Sequence, residues 1–564
     1  MKTRLLLLAV TSCVLGTVDS LATVHYVDVN NANPATPYTN WSHAATSIQD
    51  AVDAAVAGDL ILVTNGVYKT GGRQTPGHNL TNRVLVANAI TVLSVNGPEA
   101  TIIQGYQMPL TTNGVAAVRC VYLTNGATLS GFTLSNGATL GNGLFYGFFP
   151  QDDAGGGVFC AQSNGIVVSN CVLAANSAVW GGAAYQGTFI NCGLTGNSVL
   201  YESGAYSFGG GAYGSILTNC TLSANYAVTE GGGAAFSTLY NCTLNGNSSY
   251  QGGGAIQCSM IGCILVSNSA SVNGGGAMDS TLSNCLLTAN SAVSSGGGGF
   301  DCTLNNCTLS GNSAQFGGGA TLGLLTMNNC TLANNSAQYG GGVVAGNLNN
   351  CLLTGNTAQY GGGVYNGTAN NCTIIGNSAT NTGGGAYRES VVNTIIYFNS
   401  SPTGVNFDSS SVLNYCCTIP LPTGGTGNIT NPPLFIAGNY QLQSNSPCLN
   451  AGNNASVTNA TDLGGNPRIA GGIVDIGAYE FQSPEAPVSP LIQIGNLDLG
   501  AGTNQFGFTI SWAGHNAVVV EACTNLASPD WIPVSTNSLT GGSAYFNDPQ
   551  WTNYADRFYR VRTP

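Results

Sequence analysis

Charge is what this 564-residue chain has least of: Asp, Glu, Lys and Arg together make up 6% of it, with 11 bases, 23 acids and a formal net charge of −12. Lysine occurs only at Lys2 and Lys69, and no histidine lies between His78 and His515. A surface that holds phosphates needs clustered Lys and Arg, so nucleic acid is excluded as a partner. Docking on anionic lipid is excluded on the same ground. No internal apolar run reaches the ~18 residues of a membrane helix, so the mature chain has no transmembrane segment. Helical spacing of apolar residues is missing from most of the chain, where Gly, Asn and Thr weaken helices. What remains is a polar surface dense in hydrogen bonds, on a chain too long for one compact core.

The first residues, MKTRLLLLAVTSCVLGTVDSLA, place Lys2 and Arg4 before an apolar stretch that ends on Ser20 and Ala22. They read as a secretory signal peptide, residues 1–22, cut after Ala22. The alternative is lipidation at Cys13, in the lipoprotein-like VTSC. Cleavage after Ala22 removes two bases and one acid, taking the net charge from −12 to −13.

One phrase then recurs, as in NNCTLSGNSAQFGGGA, residues 305–320. Aligned on its cysteine it has ten copies, at Cys171, Cys192, Cys220, Cys242, Cys263, Cys285, Cys307, Cys330, Cys351 and Cys372. Two places later every copy has Leu or Ile, and three places earlier every copy is apolar. Five places later every copy has Asn, including Asn312, Asn335, Asn356 and Asn377. An eleventh copy keeps the frame with Thr394 in place of cysteine. A period near 22 residues signals a solenoid. Alternation within each copy, an odd offset of three between apolar positions, and Gly and Asn turns predict short strands in a parallel β-helix with ~4.8 Å between coils.

In that fold the asparagines form a hydrogen-bonded ladder and the cysteines are small buried hydrophobes. Stacked cysteines hold their Cβ atoms about one coil apart, beyond disulfide reach, so free thiols are expected. Zinc needs pairs two to four residues apart, which the column lacks, and a thiol nucleophile would need a histidine. No metal and no cofactor is expected.

TSIQDAVDAAVAG (46–58) reads as a helical cap on the N-terminal end, with Thr46 and Gln49 as a capping box and Gly58 at its close. The regular repeats occupy 155–400, and 138–154 reads as an extended loop. Residues 431–481 read as a closing coil and cover, and 482–490 as a proline-spaced linker. Short strands between turn clusters in 491–564 predict a small β-sandwich. The expected fold is therefore all-β: a parallel β-helix over 23–481, then a small C-terminal β-sandwich-like domain.

SPCLNAG…DLGGNPR…VDIGAYEF resembles the choice-of-anchor Q segment that closes bacterial β-helix proteins. HYVDVNNANPATPYTNWSHAATSIQDAVDAAVAGDLILVTNGVY is similar to the opening of secreted right-handed, pectate-lyase-like β-helix proteins, and the repeats resemble those of polymorphic outer-membrane proteins. The resemblance covers roughly 25–481 and implies a right-handed β-helix on a secreted or surface protein. It sets no catalytic residues. The C-terminal stretch RFYRVRTP departs from the outer-membrane family, whose members end in a translocating barrel, and from the usual apolar anchor helix.

Lyases of this fold need a calcium cluster and a basic residue, and hydrolases need paired carboxylates. Across 155–400 the charges are Glu202, Glu230, Asp279, Asp301, Arg388 and Glu389. Asp279 and Asp301 follow successive glycine triplets and so fall on adjacent coils. They are the weak catalytic candidates, with Asp152 and Asp153 next. Phe316, Tyr339 and Tyr360, each just before a glycine triplet, are either a glycan-contacting strip or inward packing. Arg557, Arg560 and Arg562 read as ordinary strand-surface charges. The expected role is a non-catalytic scaffold, adhesin-like or glycan-contacting, whose partners are polysaccharides or cell-surface components. The alternative is a polysaccharide lyase or glycoside hydrolase of the same fold.

Overall fold

The computed structural model describes residues 22–482, apart from 125, 142–149, 201–206, 322, 324 and 325, together with 491–493, 506–511, 517–540 and 543–563. The signal peptide therefore lies outside the described residues except for Ala22, as do most of the linker and part of the 138–154 loop. The chain forms two compact units, divided after Phe481.

In the first unit the regular coils each contribute four short strands to four long sheets. One coil shows the plan: Gly299–Phe300 in sheet I, Thr303–Asn305 in sheet II, Thr308–Ser310 in sheet III and Ser313–Phe316 in sheet IV. The sheets hold 14, 16, 15 and 10 strands respectively, and apart from the antiparallel pair of Arg73–Gln74 with Thr81–Val86 each strand pairs with its equivalent one coil away. The register is strict: Leu282 pairs with Leu304, and Leu287 with Leu309. Successive strands of one sheet are joined by a full turn of the coil, which L-residues wind right-handed. The unit is a right-handed parallel β-helix, and the strands of the second unit are likewise its main elements.

Each coil turns its corners on single residues in the left-handed region. In the coil of Asp301 these are Asp301 (φ 47°), Asn306 (53°), Gly311 (63°) and Gly317 (63°). Asn, Asp and Gly adopt that conformation most readily, which accounts for much of the composition. Turning explains only the first glycine of each triplet. A Cβ on Gly318 would lie 2.4 Å from the Ser336 carbonyl, and one on Gly319 would lie 2.5 Å from that of Gly342. The second and third glycines are required because neighbouring coils pass too close for a side chain.

Inside, the apolar positions of sheets I, II and III make one continuous core, with the cysteines at the corner between II and III. The cap is the helix Ile48–Ala54, whose N-cap is Ser47. The expected capping box does not form, because Gln49 turns inward, accepting from Leu85 N at 2.7 Å and donating to Asp53. Gly58 lies beyond the helix end rather than at its close. The loop before the repeats contains a short helix, Pro150–Asp153.

The closing segment also differs from a coil-like cover. After a last partial coil it runs back along the side of the solenoid. Asn350 Nδ2 donates to Thr461 O at 2.8 Å, Asn393 Nδ2 donates to Asn453 O at 2.9 Å, and Ala478 N donates to Thr373 Oγ1 at 3.0 Å. The second unit has two antiparallel three-stranded sheets around Phe508, Ile510, Val518, Val520 and Phe546.

Candidate functional site

The outer surface is most differentiated where sheets IV and I meet at the glycine triplets. Two rows of side chains flank this seam. The sheet IV row runs through Glu230, Gln251, Asn273, Ser295, Phe316, Tyr339 and Tyr360. The sheet I row holds Ala235, Ile256, Met278, Phe300, Thr321, Val344, Tyr365 and Tyr387. The second row becomes visible in the sequence only when copies are aligned on the glycines instead of the cysteines.

Phe316, Tyr339 and Tyr360 are half-buried and stack face to face, with centroids 5.0 and 5.4 Å apart. Tyr339 and Tyr360 also meet the sheet I row edge-on, at Tyr365 (5.4 Å) and Tyr387 (5.8 Å). They are therefore neither a fully exposed strip nor core. Within the stack each ring face serves its neighbour, so a sugar ring would meet mainly ring edges. A second block stacks Tyr122, Phe159, Tyr185 and Tyr213 at 5.0–5.4 Å, with Trp180 against Tyr213. Between the blocks the sheet IV row is polar, from Glu230 to Ser295. Ser295 bridges to Phe316 and offers no ring to that side of it. In this stretch Asn273 Oδ1 is buried without a hydrogen-bond partner.

Asp279 and Asp301 sit on the corner between sheets I and II, both with φ 47°, and Asp279 N donates to Phe300 O at 3.0 Å. The structure thus places them on adjacent coils, at positions whose backbone itself favours Asp or Asn. Burial raises both carboxyls above the usual range, and the Asp301 charge raises Asp279 further. Glu230 is raised by burial and then by Asp279. Arg388 (φ 57°) occupies the same corner four coils beyond Asp301, so ~20 Å separates the acids from the only cation of 155–400. Among the described residues no Lys, Arg or His lies within proton-transfer reach of these acids on their column.

Near the N-terminal aromatic block, Asp152 Oδ2 lies 3.5 Å from His78 Nδ1, and Asp152 Oδ1 accepts from Leu80 N at 3.1 Å. Arg119 is fully buried: Nε donates to Gly155 O (2.9 Å), Nη1 to Asn82 Oδ1 (2.8 Å) and Nη2 to Gln151 O (2.6 Å) and Ala154 O (2.8 Å), with the guanidinium 5.0 Å above Phe159. This arginine is spent on holding the Pro150–Asp153 turn.

All ten repeat cysteines are buried and carry free thiols. Cys192 N donates to Cys220 Sγ at 3.4 Å and Cys307 N to Cys330 Sγ at 3.3 Å, while Cys307 Sγ donates to Asn305 O at 3.3 Å. Burial pushes Cys330, Cys351 and Cys372 well up, the opposite of a reactive thiolate. The asparagines form a saturated ladder. Asn312 Nδ2 donates to Leu287 O (3.0 Å) and Asn335 Oδ1 (2.9 Å), and Asn312 N donates to the same Asn335 Oδ1 (3.0 Å). Asn335, Asn356 and Asn377 continue the pattern. Sequence reasoning missed a second inner ladder at the corner between I and II, where Ser215, Ser237, Cys258 and Ser280 link through backbone N–H groups.

The closing motif is a buried knot. Arg468 Nη2 donates to Asp475 O and Gly477 O, both at 2.8 Å, and lies 3.7 Å from Glu480 Oε2. Asp462 accepts from Asn466 N and Glu480 N, and Asp475 accepts from Asn450 N and Phe481 N. All four charged residues of DLGGNPR…VDIGAYEF take part in this fastening, although Arg468 Nε and Nη1 are buried without a hydrogen-bond partner. Among the described residues no cluster of three or more His, Cys, Asp or Glu is arranged to hold a metal, and no helix is long and apolar enough to cross a membrane.

No family model and no curated protein matches the chain. Solved structures similar to it include the pectate lyase Pel9A, at 14% identity over 82% of this chain and 98% of that one, with a TM-score of 0.24. The A-module of the Azotobacter vinelandii mannuronan C-5 epimerase AlgE4 matches at 13% identity over 72% of this chain and 100% of its own, with a TM-score of 0.29. A tailspike protein of E. coli bacteriophage HK620, solved with a pentasaccharide, matches at 11% identity over 93% and 90%, with a TM-score of 0.28. At these scores none of the three decides what this chain binds or does.

Proposed function

We propose that the protein is a secreted or cell-surface scaffold, adhesin-like, that contacts glycans along the glycine seam without cleaving them. The observation that carries this reading is the break in the aromatic stack at Ser295. It leaves the side of Phe316 that faces Ser295 without a ring partner, and beyond Ser295 the row continues at one-coil steps through Asn273, Gln251 and Glu230. An open ring face at the end of a row of polar side chains suits an oligosaccharide lying along the row. The reading includes cleavage of residues 1–22, with the β-helix over 23–481, the linker over 482–490 and the sandwich-like domain over 491–564. The resemblance to polymorphic outer-membrane repeats and to choice-of-anchor Q segments supports display at a surface.

The rival reading, a lyase or hydrolase, draws on the raised carboxyls of Asp279 and Asp301. Their corner conformation accounts for the residue type without catalysis, and the one cation of 155–400, Arg388, stands four coils beyond Asp301. Screening the protein against a polysaccharide panel for retention and reducing-end release separates the two. Retention that falls at least about tenfold in Phe316→Ala, with no release, is expected. Cleavage abolished by Asp279→Asn with Asp301→Asn, at an unchanged melt, would overturn the scaffold in favour of the enzyme.

A further inference from the structure

We infer that the C-terminal unit carries a separate binding site for a neutral sugar, walled by Asp548 and Arg557. A cavity of about 600 Å³ opens there, lined by Thr524, Asp530, Val534, Phe546, Asp548 and Arg557 among others. That size falls within the range of small-molecule sites. The strand Ser543–Asp548 brings Asp548 to its rim, and Arg557 immediately precedes the strand Phe558–Arg562.

The two charged side chains are dry, Arg557 being 10% and Asp548 6% exposed. Arg557 Nε lies 2.8 Å from Asp548 Oδ2, a dry ion pair. Asp548 Oδ2 accepts from the Tyr559 hydroxyl at 2.9 Å, and Oδ1 accepts from Gln550 N at 2.9 Å, which leaves Oδ1 room for another donor. Tyr554 lies beneath the guanidinium, 4.1 Å away, and fixes it. Arg560 and Arg562 behave differently: both donate through Nε to Glu521 at 2.7 Å, a clamp across the strands. Arg557 is thus a ligand-facing arginine where the sequence pattern reads only strand-surface charge.

A guanidinium with N–H groups beyond the one facing Asp548, beside a carboxylate with spare lone pairs, suits a ligand that accepts and donates at adjacent atoms. Neighbouring sugar hydroxyls do both. An acid would satisfy Arg557 but meet the carboxylates of Asp548 and Asp530, and a cation would meet Arg557, so the ligand is uncharged. Val534 and Phe546 supply apolar lining for its C–H groups. The site stands whether or not the seam binds anything.

The test is calorimetric titration of the full-length protein with galactose, glucose, mannose, xylose and, as the acidic arm, galacturonate. At least one neutral sugar is expected to bind, and Arg557→Gln or Asp548→Asn to weaken it at least about tenfold. Thr524 is exposed at the mouth, so Thr524→Trp should block binding at an unchanged melt, and it decides the matter if the ion-pair variants fail to fold. Phe316→Ala should leave this binding intact, which separates the pocket from the seam. Failure of every neutral sugar at millimolar concentration, tighter binding of galacturonate than of galactose, or binding that survives Thr524→Trp would each overturn the assignment.

Discussion

The regular coils and the non-repeating parts of the molecule satisfy buried polar groups by opposite means. Between residues 155 and 400 the inner polar groups are overwhelmingly neutral, arranged as an asparagine ladder and a serine–cysteine ladder. Where the pattern stops, charges are buried: Arg119 under the Pro150–Asp153 turn, Arg468 in the closing knot, and Asp548 with Arg557 in the C-terminal unit. Repetition explains the division. An amide donates on one side and accepts on the other, so identical amides can stack at every coil. Identical charges ~4.8 Å apart in a dry interior would repel at every step. A charge can be buried only where its neighbours one coil away differ from it.

The sharpest way to break this comparison is at Arg468. Arg468→Gln leaves Asp462, Asp475 and Glu480 buried without their cation, and removing one partner of a buried charge cluster costs about 3–5 kcal/mol. The loss should be local. Hydrogen exchange should accelerate across 450–481 while amides of 155–345 keep their protection. If Arg468→Gln is silent, charge is not what fastens the closing segment.

The complementary experiment introduces charge into the ladder. Asn312→Ala strands the N–H groups of Asn290, which donate from Nδ2 and from the backbone to Asn312 Oδ1, at 3.1 and 2.9 Å. A cost of about 2–3 kcal/mol is expected in thermal or urea melts. Asn312→Asp keeps the acceptor but adds a buried charge, so it should be worse than alanine at neutral pH and recover as pH falls. An aspartate no worse than alanine would show that the ladder is wet enough to tolerate charge.

The solenoid, its period, its cap and the C-terminal β-unit were legible from alternation, glycine spacing and turn residues, because those patterns are local. The four-cornered coil was not, since in two of its four corner columns many copies turn on residues such as Ala289, Phe236 or Gln257, forced into the left-handed region by their neighbours. That Asp279 and Asp301 share a column was readable, but why they stand there was not, because the reason is a backbone angle. The Asp548–Arg557 wall was invisible, since it depends on which strand ends converge across two sheets. Thr46 with Gln49 misled as a capping box, because a contact with Leu85, distant in sequence, outcompetes a local one.

Glu389 tests the boundary between the two regimes, because it is a carboxyl at the end of the neutral serine–cysteine ladder. It accepts from Gly367 N at 2.8 Å through Oε1, while Oε2 is buried without a partner. Burial pushes its carboxyl up to about 8, with Asp408 adding to the rise. Asp408 itself is held low by hydrogen bonds from Ser410, Ser411 and Arg388 N, although burial alone would raise it. The folded state therefore holds the Glu389 proton more tightly than the unfolded chain. Its contribution is complete below the ordinary glutamate range and is lost as pH rises through about 8. Proteolysis or hydrogen exchange across 386–418 should speed up between mildly acidic and mildly alkaline pH. Glu389→Gln should flatten that dependence, and a slope unchanged in the variant would place its origin elsewhere, with Glu480 the next group to examine because its carboxyl is pushed up to about 7.

The smallest effect belongs to the cysteine column, and its smallness is the point. Cys307 offers the corner a weak donor to Asn305 O and an acceptor-sized atom, in a position that the eleventh copy fills with Thr394. There Thr394 Oγ1 donates to Val392 O at 2.8 Å and accepts from Cys372 N at 3.0 Å, the same two links with a hydroxyl in place of the thiol. Ser237 and Ser280 alternate with Cys258 in the neighbouring ladder in the same way. Cys307→Ser should therefore cost no more than about 1 kcal/mol, since the hydroxyl inherits both partners and only the thiol's size is lost. Thiol titration of the unfolded, unreduced protein should find most of the ten repeat cysteines free. A cost in Cys307→Ser as large as that of Asn312→Ala, or a titration that finds almost no thiols, would mean that sulfur links or fills the corner in a way an interchangeable hydrogen-bonding atom does not.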